Sequence, residues 1–265
     1  MALIHANFFS TALGMCVNCE VILPQRVGAH TGAVPECWPT LWLLHGASDD
    51  ETAWVRRTSI ERYVAPLGLA VVMPAVRLSN YANMAHGQRF YDYVSRELPT
   101  LMRDFFPLSD KREDNFIAGL SMGGAGCLKI GLANPQNYAA IGCLSAGAIN
   151  RMTGERAKDP ARIMRNKMVY GERELAGTEE DVFENARKIV RQGLPAPRIY
   201  HACGAQDFLL DSAHETRDFF YGFEGNPFDY HYDEDPGIHS WAFWDEHIQS
   251  FLKYLNLPPV EGVRG

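Results

Sequence analysis

Gly119-Leu120-Ser121-Met122-Gly123 constrains this chain more than any other stretch, because the G-x-S-x-G pattern has a predicted strand on one side and a predicted helix on the other. Asn115-Phe116-Ile117-Ala118-Gly119-Leu120 reads as a short buried strand, and Gly123 to Ala133 reads as a helix stopped by Asn134-Pro135. A serine between them sits on a sharp turn, where small residues two before and two after it relieve backbone crowding. A glycine-rich turn whose serine only caps the helix would satisfy the bare pattern. The flanking strand and helix favour a nucleophile raised at the carboxyl edge of a sheet.

Such a turn also aims the amide of the next residue, so Met122 N–H is one candidate oxyanion donor. A second is expected from the loop after an earlier strand, and Thr40-Leu41-Trp42-Leu43-Leu44 followed by His45-Gly46-Ala47-Ser48 has that form. The apolar run predicts a buried central strand. Gly46 lets the backbone turn with its amides inward, which makes the Ala47 amide the expected second donor. His45 is expected to fix the loop by hydrogen bonding and is only a secondary candidate for the base.

The base should follow the nucleophile in the chain order Ser, then Asp or Glu, then His. His201, His214, His231, His239 and His247 all lie downstream, the last of them inside the final predicted helix. Gly237-Ile238-His239-Ser240-Trp241 puts His239 on a glycine-flexed loop directly before a helix with apolar residues at Trp241, Trp244, Ile248, Phe251, Leu252 and Leu255, so His239 is the expected base. His231 falls in Phe228-Asp229-Tyr230-His231-Tyr232, whose alternation predicts a strand with His231 at a wall or surface. His201, in the predicted strand Arg198 to Ala202, reads as a satisfied histidine near the core. The orienting acid should lie in the loop after that strand, where Asp207 comes first. Asp211 reads as the opening of the next helix, and Asp235, before Pro236-Gly237, as a turn former.

On these residues the chain resembles the bacterial tributyrin esterase group of the putative esterase (esterase D-like) family. The likeness runs through Leu43-Leu44-His45-Gly46 with Trp54, Val71 to Pro74, Glu97-Leu98-Pro99, Phe116 to Gly124, Cys203-Gly204 with Asp207-Phe208-Leu209, and Gly237 with His239, Trp241 and Trp244. It implies an α/β-hydrolase fold, with a mostly parallel central sheet and helices on both faces. It also implies Ser121 as nucleophile, Asp207 as acid, His239 as base and the 45–47 loop as oxyanion site, with neither cofactor nor metal. The expected activity is hydrolysis of small, short-chain acyl esters. Feruloyl, carbohydrate-acetyl and S-formylglutathione hydrolysis occur in the same wider family, and a silent binding scaffold is the non-enzymatic alternative. One departure stands out: after His45-Gly46 this chain carries Ala47-Ser48-Asp49-Asp50, a more acidic loop than the glycine-containing ones of the group.

At 265 residues, with apolar residues evenly spread, the chain suits one domain over 1–265. Residues 146–178 are charged and could fold over Ser121 as a small cap. Helices are predicted over Asn150 to Lys167 and Glu179 to Gln192, with breaks at Gly171 and Gly177. The formal charge of −7 disfavours nucleic acid or an anionic membrane surface as partner, leaving a small-molecule ester and a homo-oligomeric assembly as compatible partners. The first 19 residues are uncharged, but polar residues interrupt them and no positive segment opens them. Two strands joined near Leu13-Gly14 explain them better than an export signal, so a cytoplasmic protein is expected, with its six cysteines as buried free thiols. Cys16-x-x-Cys19 with Cys37 is a weak zinc pattern, since in a strand the first two would face opposite sides. Among the aromatics, Tyr91 and Tyr93 read as core. Trp54 and Trp241, close to the inferred loops, are the expected substrate contacts together with His45 and Gly46.

Overall fold

Every residue of the runs Thr40–Leu44, Ala70–Pro74, Asn115–Leu120 and Ala140–Leu144 is buried, as strands covered on both faces must be. The structure is a computed structural model and describes residues 1–25, 36–148 and 158–263. These four runs are β3, β4, β5 and β6 of an eight-stranded sheet. The others are β1 (Ala2–Ser10), β2 (Met15–Leu23), β7 (Arg198–Gly204) and β8 (His231–Asp235). The order is β1-β2-β4-β3-β5-β6-β7-β8, with β1 and β2 antiparallel and every neighbour from β4 to β8 parallel. The first strand alternates between half-buried and exposed residues, as a strand wetted on one face does.

The helices are α1 (Ala53–Arg57), α2 (Ile60–Val64), α3 (Phe90–Asp92), α4 (Leu98–Phe105), α5 (Met122–Ala133), α6 (Pro160–Tyr170), α7 (Val182–Gln192), α8 (Leu210–Tyr221) and α9 (Trp241–Leu255). Strand alternation splits the core in two. Trp42, Leu44, Ile117 and Ile141 face α5 and α7 through Cys127, Leu128, Ile130 and Ile189. Leu41, Leu43, Phe116 and Ala118 face α1, α2 and α9 through Trp54, Val64, Ile248 and Phe251. Burying a large apolar side chain of this kind contributes roughly 1.5–3 kcal/mol, so both faces contribute to holding the helices on the sheet. The α/β-hydrolase fold expected from the resemblance is therefore present.

Three boundaries differ from expectation for identifiable reasons. The last strand begins at His231, because Asp229 turns the chain at φ 43° while the Asn226 side chain accepts Tyr230 N–H at 2.8 Å. Phe228 and Tyr230 are buried against Phe220 instead, and Asp235 ends the strand. The acids Asp233 and Glu234 are tolerated there because β8 is an edge strand and Tyr200 and Tyr232 donate to them. Helix α7 starts at Val182, where the Asp181 side chain caps Glu184 N–H at 3.0 Å. Of the helix expected over Asn150 to Lys167, residues 149–157 lie outside the described residues; α6 starts at Pro160, with Asp159 accepting from Ala161 N–H. Two of the six cysteines, Cys16 and Cys37, are exposed rather than buried, Cys16 because it lies on the wetted face of β2. Among the described residues no helix is long and apolar enough to cross a membrane.

Candidate active site

Ser121 adopts φ 53° and ψ −114°, a conformation that costs an ordinary residue about 1–3 kcal/mol and persists only where its surroundings enforce it. Its N–H donates to Leu144 O of β6 at 2.8 Å, and its carbonyl accepts from Ala125 N–H at 3.1 Å. The glycines on either side are needed for close approach. A Cβ on Gly123 would stand 2.5 Å from Leu44 O and 2.7 Å from His45 O, and one on Gly119 would stand 2.5 Å from the Gly123 carbonyl. Gly123→Ala must therefore push α5 away from the loop after β3. We expect a stability loss of about 1–3 kcal/mol, seen by calorimetry as a fall in Tm of roughly 3–10 °C, together with reduced activity. An unchanged Tm would contradict this packing.

Parallel strands deliver their following loops to one edge, and the loops after β3, β5, β7 and β8 meet there. His239 Nε2 lies 2.9 Å from Ser121 Oγ, and His239 Nδ1 lies 2.8 and 3.0 Å from the two carboxylate oxygens of Asp207. Asp207 is fully enclosed, with one oxygen also accepting Leu209 N–H at 2.8 Å. An acceptor-only carboxylate places the proton on Nδ1 and leaves Nε2 free to accept from the serine hydroxyl. Phe208 packs against the His239 ring at 4.3 Å between centroids, and Trp244 meets it edge-on at 5.0 Å. No pattern in the sequence pointed to either contact.

The rival residues are engaged elsewhere. His201 is buried between Tyr230 and Ala146 O, His214 pairs with Glu234, His231 with Asp233, and His247 with Tyr200. Asp211 is exposed in the first turn of α8, and the Asp235 carboxylate lies 3.5 Å from His247, not beside His239.

The loop after β3 is held by its carbonyls. Trp54 Nε1 donates to Leu44 O at 3.1 Å, Tyr81 Oη to His45 O at 2.9 Å, and His45 Nδ1 to Gly46 O at 2.8 Å. Burial holds the His45 pKa below its ordinary value, and Nε2 accepts Val76 N–H at 3.1 Å, as a neutral ring must. In a trans peptide the C=O and the following N–H point opposite ways, so pinning Gly46 O fixes the direction of Ala47 N–H. Met122 N–H is the first of α5 and has no acceptor within the helix. These are the two amides expected as oxyanion donors.

Two of the expected substrate contacts lie behind the loop. The side chains of His45 and Trp54 are buried and bonded to backbone, so they support the loop from behind. Gly46 lies beside Ser121, since a Cβ there would stand 3.6 Å from Ser121 Cβ. Trp241 stays half-buried, edge-on to Trp54 at 5.2 Å. Tyr81 was not anticipated. It takes a left-handed φ of 53°, next to Asn80 at 52°, and the Asn80 carbonyl accepts from the buried Lys129 Nζ at 2.7 Å. Lys129 in turn pairs with buried Glu180 at 2.9 Å, which ties the segment before α7 to the loop support.

Known proteins resemble this chain in sequence and fold. The family described as "Putative esterase" matches residues 10–255. An acetyl esterase from Caldicellulosiruptor saccharolyticus is 30% identical, covering 97% of this chain and 98% of that protein. Among solved structures, the substrate-bound Staphylococcus aureus fluorophosphonate-binding serine hydrolase F superposes with a TM-score of 0.82 at 36% identity, over 96% of this chain and 98% of that one. An S-formylglutathione hydrolase (FrmB) from Staphylococcus aureus follows at 0.78 and 35%, with the same coverage. Matched over nearly its whole length, the chain belongs to the putative esterase family and is a serine hydrolase with the α/β-hydrolase fold.

Proposed function

We propose that the protein is a carboxylesterase acting on small, short-chain acyl esters through Ser121, His239 and Asp207. The observation that carries this reading is the unbroken hydrogen-bond chain from Ser121 Oγ through His239 to the enclosed Asp207. His239 Nε2 takes the hydroxyl proton as Ser121 Oγ attacks the ester carbonyl, and Asp207 holds the imidazole and stabilises its cation. The Ala47 and Met122 amides receive the oxyanion. Collapse expels the alcohol, protonated by His239, and leaves an acyl-serine. Water, activated by the same histidine, then hydrolyses it.

Support for small acyl groups comes from the likeness to an acetyl esterase and from residues 146–178, a segment rich in arginine, lysine and acids. Although α6 there exposes Ile163, Met164 and Met168, its charged side chains interrupt the apolar surface along which each added methylene could gain about 0.8 kcal/mol. In a p-nitrophenyl ester series kcat/KM should peak between acetyl and butyryl and fall steeply by decanoyl. A rate that climbs through decanoate, or jumps when the substrate forms an emulsion, would sink the small-ester reading. The likeness to an S-formylglutathione hydrolase favours a second reading, thioester hydrolysis by the same groups with a thiol leaving in place of an alcohol.

A further inference from the structure

The acidic loop that sets this sequence apart runs directly beside the nucleophile. A Cβ built on Gly46 would lie 3.1 Å from Asp49 Oδ2 and 3.6 Å from Ser121 Cβ, so the carboxylate and the nucleophile flank one backbone position. Asp49 N–H donates to Gly46 O at 3.3 Å, closing a tight turn that carries the carboxylate back toward Gly46. Asp50, the next residue, has its charge engaged: Oδ1 accepts from Thr52 and Arg56. Among the described residues no lysine, arginine or histidine forms an ion pair with Asp49. His45, the nearest titratable ring, is held neutral by burial, and Arg57 is exposed, where solvent screens it. A half-buried negative charge therefore stands beside the reacting serine without a neutralising partner.

We propose that Asp49 is a specificity-determining residue that turns the Ser121 site toward neutral and cationic esters and against anionic ones. A charge a few atoms from the ester bond comes within several ångströms of this carboxylate. At such separations, in the intermediate dielectric of a cleft wall, like charges repel by enough to change a rate about tenfold. The carboxylate acts as a built-in repulsive element: it adds little affinity for preferred substrates and penalises others. The inference rests on the esterase reading above and narrows it, because a glutathione thioester carries two carboxylates whereas acetylated sugars and simple alkyl esters carry none.

The test compares native protein, Asp49→Asn and Asp49→Ala at pH 8 and low ionic strength on four esters. They are neutral p-nitrophenyl acetate, anionic p-nitrophenyl hemisuccinate, anionic 4-acetoxybenzoate and cationic acetylcholine. Dividing each variant rate by the native rate cancels intrinsic reactivity. Relative to the neutral ester, kcat/KM should rise about tenfold for at least one anionic ester and fall several-fold for the cationic one. Asp50→Asn, which removes an already paired charge, should leave all ratios within about twofold. If the four esters change by a common factor in both Asp49 variants, Asp49 is not a charge filter and the proposal falls. A native protein that hydrolyses none of the four would instead overturn the esterase reading, so the two failures are distinguishable.

Discussion

Ser121→Ala should lower kcat by at least about 10³-fold, and by as much as about 10⁶-fold if the uncatalysed background is reached, while leaving the fold intact. In the proposed mechanism the hydroxyl oxygen bonds to the acyl group, so its removal deletes the covalent route, whereas the oxyanion binding proposed for Ala47 and Met122 would survive and set the residual rate. The fold should be spared because Ser121 is fixed by its backbone, through Leu144 O and Ala125 N–H, and its side chain fills no core volume. Circular dichroism and kcat on p-nitrophenyl acetate check both halves. Near-native turnover by the variant would remove Ser121 from the reaction.

Asp207→Asn should cost on the order of 10⁴-fold in kcat, the second large effect. Both carboxylate oxygens face His239 Nδ1, at 2.8 and 3.0 Å, and an amide can present its NH₂ group there, which forces the proton onto Nε2, where it can no longer accept from Ser121. Asp211→Asn and Asp235→Asn should change kcat by no more than a few-fold, because one is exposed on α8 and the other faces His247. A severe Asp235→Asn with a mild Asp207→Asn would transfer the orienting role to the loop after β8. The three variants measured side by side separate that role from a general loss of negative charge.

Much of this site was readable from sequence because short-range physics specifies it. A five- or six-residue apolar run has few alternatives to a buried strand, Asn134-Pro135 ends a helix, and the Gly119 and Gly123 positions answer to backbone atoms four residues away or in the adjoining loop. Chain order left five histidines downstream, and the position on a loop before an amphipathic helix singled out His239. What was not readable depends on contacts between distant residues. Tyr81 is 36 residues from the carbonyl it holds, and a tyrosine at positive φ follows no local rule. The shift of β8 to His231 comes from burial of Phe228 and Tyr230 against Phe220, an aromatic cluster that alternation alone does not reveal. Trp54 lies close in sequence to the loop after β3, and only the fold shows that its indole braces Leu44 from the interior. Asp49 was visible only as excess acidity; the geometry at Gly46 is what connects it with the nucleophile.

If Ser121 is the nucleophile, it becomes covalently bonded during turnover. A fluorophosphonate probe reacts with an activated serine as an ester does but leaves a phosphonyl group that deacylates slowly, so the modified residue can be located by peptide mass spectrometry. One equivalent of label per chain is expected, on the peptide containing Ser121, with loss of esterase activity in step with labelling and no label on the Ser121→Ala protein. Label on a different residue, or equal labelling of native and Ser121→Ala protein, would contradict it.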